Sequence, residues 1–144
     1  MATKNFEVQQ LFKALRAGVI SQEFFTDQMD ELMGSNGAAH EMVPNVFAHR
    51  GDGAKLGQHS LSKTPQTESA VFTLPPNFGD GRENSHRGDQ LIYVIEGSAT
   101  CRVSGKECTV KAGDFLTIPA GAPHTLRTGN EKLFALTVLA PPEN

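Results

Sequence analysis

A chain of 144 residues, 38% hydrophobic and 20% charged, is one domain's worth of globular protein, long enough to bury a core and neither disordered nor fibrous in make-up. Its net charge of −3 argues against a nucleic-acid partner, which requires a basic surplus. The opening residues MATKNFE carry no apolar run after Lys4, and the longest apolar stretch, 133–140, is far short of a bilayer. No membrane partner and a cytoplasmic location are therefore expected.

The first forty residues read as a helical extension, 1–40, ahead of a domain over 41–144. Val8, Leu11, Phe12 and Leu15 recur at helical spacing until Gly18. Ser21 suits the N-cap of a second helix with Phe25, Met29, Leu32 and Met33 on one face and Gly34 as its stop. That helix carries Glu23, Asp27, Asp30 and Glu31 and no basic residue, so DNA phosphates would repel it. The apolar faces of the two helices need cover, on the outside of a domain or on a partner subunit, and a homodimer is expected.

Residues 34–45 read as a linker, after which the pattern changes to short strands broken by Gly and Pro. Strands are predicted over 46–49, 55–61, 70–74, 90–95, 99–103, 107–111, 115–118, 124–127 and 132–139. So many short strands without intervening helices specify an all-β antiparallel sandwich or barrel. A two-residue turn at Ser104-Gly105 would set Arg102 opposite Glu107 and Cys101 opposite Cys108. Two cysteines are too few for a disulfide scaffold, and reduced, packed thiols are expected.

The stretch that carries chemistry runs from 81 to 128. Asn84 and His86 are two apart, so on an extended chain they share a face; Gln90 opens the strand 90–95, which ends at Glu96-Gly97. Farther on, Gly113-Asp114-Phe115-Leu116-Thr117-Ile118-Pro119-Ala120-Gly121-Ala122-Pro123-His124 ends with an imidazole just past a Pro-x-Gly turn. Side by side in one barrel, the two segments would gather two imidazoles and two carboxamides.

These two segments resemble the paired motifs of the cupin superfamily. The second matches through Gly113, Pro119, Gly121 and His124 and departs at Thr128, where the family's usual residue is Asn. In the first, Gly97 fixes the frame: the family's two His and one Glu fall on Asn84, His86 and Gln90. The resemblance implies a double-stranded β-helix, the small jelly-roll barrel, and a divalent transition metal (iron, zinc, nickel or manganese) held by His86, Gln90, His124 and Asn84. Both substitutions are carboxamides, so two readings stand: a weakened but occupied site, or one that holds water or an organic ligand directly. All-neutral protein ligands would leave an ion its full double charge, favouring a small anionic or enolisable guest. Function then divides between a metal-dependent enzyme of oxygenase or isomerase type and a non-catalytic small-ligand-binding or structural barrel.

The other candidates rank lower. His40, His49 and His59 read as surface or linker histidines, with His49 or Gln58 placed to line the barrel mouth if its strand faces inward. Asp89 reads as a turn residue pointing away from Gln90, and Glu83 as pointing away from the cavity. Tyr93 and Phe115 are expected in the core or at an interface. Arg82 and Arg127 read either as cations that draw an anionic guest or, the commoner case, as solvated surface arginines. No nucleophile elbow and no phosphate-cradling glycine loop is present.

Overall fold

The structure is a computed structural model that describes residues 4–25, 28 and 39–143. The chain divides into two compact units, Met1–Met42 and Val43–Asn144.

In the first unit, helix α1 (Lys4–Arg16) ends where the glycine predicts. Gly18 takes φ +73°, its amide bonds to Leu15 O at 3.1 Å and that of Val19 to Ala14 O at 2.9 Å. Together they form the paired closure that satisfies a helix's last carbonyls. Ser21 caps the next turns as expected, its hydroxyl accepting from Phe24 N at 3.1 Å. The rings of Phe12 and Phe25 pack 4.9 Å apart. The predicted face residues Met29, Leu32 and Met33 and the stop at Gly34 lie outside the described residues.

The second unit is all β apart from one turn, and its sheets are wholly antiparallel. Strands β1 (Gly57–Lys63), β2 (Glu68–Leu74), β8 (Leu133–Ala140), β3 (Asp89–Glu96) and β6 (Phe115–Ile118) lie side by side in that order. A second sheet holds β5 (Lys106–Lys111), β4 (Ser98–Val103) and β7 (His124–Arg127). Between them lies a core that includes Leu74, Ile92, Val94, Cys101, Ile118, Leu133 and Ala135. Alternation along β3 explains the division: Ile92 and Val94 are buried while Tyr93 between them is exposed.

The β4–β5 hairpin has the predicted register, Arg102 opposite Glu107 and Cys101 opposite Cys108. Ser104 and Gly105 take φ +49° and +83°, the positive pair that a type I′ turn requires. Gly97, where the chain leaves one sheet for the other, has φ +85°, and a Cβ there would sit 1.9 Å from Lys132 O. Only glycine fits that crossing.

One expectation is corrected and one, core or interface for Tyr93 and Phe115, is narrowed. Residues Val46–His49 form a 3-10 turn, not a strand: Arg50 N closes back onto Phe47 O, and no residue of the turn is buried. Tyr93 and Phe115 are not core residues; they face each other across β3 and β6 on the outer surface, 44% and 63% exposed.

Candidate functional site

Backbone pairing brings the two motif segments together. Asn84 and His124 form a reciprocal antiparallel bridge, Asn84 N to His124 O at 2.9 Å and His124 N to Asn84 O at 2.8 Å. Directly opposed residues project from the same side of such a pair, and His86, two positions on, shares that side. The Pro119–Ala122 turn then docks on the first segment. Gly121, at φ +78°, donates to His86 O at 2.8 Å, and Ala120 N donates to Asp89 Oδ1 at 2.9 Å. Asp89, expected in a turn, is instead the first residue of β3, paired with Ala140, and its carboxylate fastens one motif to the other.

The result is a cavity of about 740 Å³ lined by all four predicted residues, Asn84, His86, Gln90 and His124. The rings of His86 and His124 lie 5.2 Å apart. His124 is 7% exposed and donates from Nδ1 to Ala122 O at 3.1 Å, which leaves Nε2 with the lone pair. His86 is half-buried, and its Nδ1 meets the Glu143 carboxylate. Gln90 donates from Nε2 to Thr137 Oγ1 at 3.0 Å, while its Oε1 is buried with no partner. A buried amide oxygen left unpaired is costly, about 1–3 kcal/mol. Asn84 stands exposed at the rim. The cavity's apolar wall includes Phe72, Leu74, Ile92, Ile118 and Leu126.

Among the described residues no cluster of three or more His, Cys, Asp or Glu is placed to hold an ion. What the site offers is a mixed set, two imidazole nitrogens and two carboxamide oxygens, one of them orphaned. Gln58 lines the same cavity, whereas His49 does not; its ring stacks on His59 at 3.7 Å. Arg82 borders the cavity but is bound to Asp80 at 3.1 Å, and Arg127 lies outside it, against Glu107. Glu83 borders a separate surface hollow.

Two contributors escaped the sequence reading, and a third was read only as a departure from the motif. Thr137 and Glu143 belong to β8 and to the segment after it, 47 and 57 positions from the residues they bind. Thr128, the departure from the motif, clamps one wall: its hydroxyl donates to Pro75 O at 2.6 Å and accepts from Phe78 N at 2.8 Å.

Comparison with known proteins bears on this geometry. The family model described as "Cupin domain" matches residues 70–139. An oxalate-binding protein of Thermotoga maritima is 30% identical over 105 residues, 69% of this chain and 84% of that protein. A Thermus thermophilus structure superposes with TM-score 0.62 at 24% identity, over 70% of this chain and 98% of the other. A Desulfitobacterium hafniense structure titled as a cupin superfamily protein gives TM-score 0.61 at 15% identity, over 72% and 94%. At these identities the two structures speak for the fold alone.

Proposed function

This chain belongs to the cupin superfamily, and on that footing we propose that its barrel binds a small oxyanion around a divalent transition metal held by His86, His124 and Gln90, with Asn84 at the rim. The observation that carries the reading is the buried, unpartnered Oε1 of Gln90, which lines the same cavity as the two imidazoles. The donor set fits such an ion: two imidazole nitrogens suit iron, nickel or zinc, and amide oxygen widens the choice to manganese. A bound ion would supply Lewis acidity toward an oxygen of the guest.

With four neutral donors the ion keeps its charge, so an anionic guest completes the site. The Thermotoga maritima relative is named for binding oxalate, a small dianion of that kind. Among the described residues lining the cavity the one carboxylate is Asp80, and Arg82 holds it. That pairing favours binding over catalysis by a general base.

Elemental analysis and oxalate calorimetry test this reading. The purified protein should carry transition metal, His86→Ala and His124→Ala should each lose most of it, and oxalate should bind the metal-loaded parent alone. Equal metal content in parent and both variants would overturn the proposal. We further propose that this cytoplasmic chain forms a homodimer, the pairing supported by the exposed Tyr93 and Phe115; a monomeric mass in light scattering at micromolar concentration would reject the pairing.

A further inference from the structure

We infer that Glu143 is a positioning residue: by accepting from Nδ1–H of His86 it holds that ring in the tautomer whose Nε2 carries the lone pair. The metal consequence of this rests on the proposed function; the tautomer does not. Residues 141–143 are fastened along the stretch that carries His86. Arg87 Nε donates to Pro142 O, the Pro142 side chain is fully buried, and the backbone at Gly88 approaches Pro141 so closely that a Cβ would meet its carbonyl oxygen at 2.4 Å. Glu143 is thus delivered to Nδ1 by an anchored segment.

The two imidazoles differ in how they are held. His124 donates to a carbonyl two residues away, within its own turn, so local backbone sets its tautomer. His86 depends on a side chain 57 positions distant. An imidazole in water prefers to carry its proton on Nε2, the form that cannot ligate from that atom, so removing the acceptor releases the ring to the wrong state. A carboxylate on Nδ1 also makes Nε2 a better electron donor toward a bound ion. Glu143 therefore returns, one ring removed, part of the negative charge that a carboxamide at position 90 withholds from the site.

The test uses the full chain with ¹⁵N-labelled histidine, metal-free, at pH 8, where ordinary imidazoles are neutral. His86 signals are identified by their loss in His86→Ala. The parent should show His86 protonated on Nδ1, Glu143→Gln should keep that form because its amide oxygen still accepts, and Glu143→Ala should move His86 toward the Nε2–H form while His124 stays unchanged. Zinc titration should then find Glu143→Ala weakened by about 10–100-fold and Glu143→Gln in between. An unchanged His86 tautomer in Glu143→Ala overturns the inference. A parent that takes up no zinc overturns the metal reading, and the tautomer result still decides the role of Glu143.

Discussion

The amide of Gly121 donates to the carbonyl of His86 across 2.8 Å. That contact ties the turn preceding His124 to the residue whose ring faces it, so the spacing of the two imidazoles is set by main chain. Side-chain changes at the site should therefore alter affinity without dispersing the remaining donors.

Gln90→Glu tests the frame assigned to the first motif. A carboxylate at this position should tighten metal binding by on the order of tenfold or more, since a unit charge near an ion in a partly buried site outweighs a dipole. The same change should weaken oxalate binding, because the ion's charge is then partly met by protein. Calorimetry of both ligands checks the opposed signs, and unchanged affinities would undo the assignment.

At Gly97 the expectation is structural. Gly97→Ala meets Lys132 O and adopts positive φ, so it should cost about 3 kcal/mol or more, read from denaturant midpoints. Gly113→Ala is the control: its φ is +93°, but a Cβ there meets nothing within 4 Å, and only backbone strain of about 1–2 kcal/mol remains.

Thr128→Val removes both hydrogen bonds of the clamp while keeping the volume. It leaves Phe78 N and Pro75 O without their partner, and should destabilise by about 1–3 kcal/mol. Thr128→Ser should retain most of the stability. Equal loss in both variants would show that packing of the methyl, not the hydroxyl, holds the wall.

Cys101 is pushed up to about 11 by burial first, then by the adjacent Cys108. Iodoacetamide at pH 8 should label exposed Cys108 and spare Cys101 until the chain unfolds. Because the folded thiol binds its proton more tightly than the unfolded one, its contribution to stability is complete below pH 9 and disappears as pH rises toward 11. Cys101→Ala should flatten the stability profile across that interval.

What was legible in the sequence was what short range controls. The register around Ser104-Gly105, the frame set by Gly97 and the shared face of Asn84 and His86 all follow from turn chemistry and a period of two. The four-residue cavity set was legible because each motif ends in a turn whose glycine fixes direction. Thr137 and Glu143 were not, since which residue of a distant strand meets Gln90 or His86 depends on how the sheets close. The segment 46–49 misled for a related reason: apolar residues after Pro44 look extended, but a strand needs a neighbour, and among the described residues none pairs with this one.

The contact between Glu143 and His86 has a practical side. It makes the orientation of one cavity imidazole depend on the short segment that follows β8. A dye or spin label attached to residues 141–143 would tug at that ring, so exposed Cys108, which does not line the cavity, is the safer handle for any ligand titration.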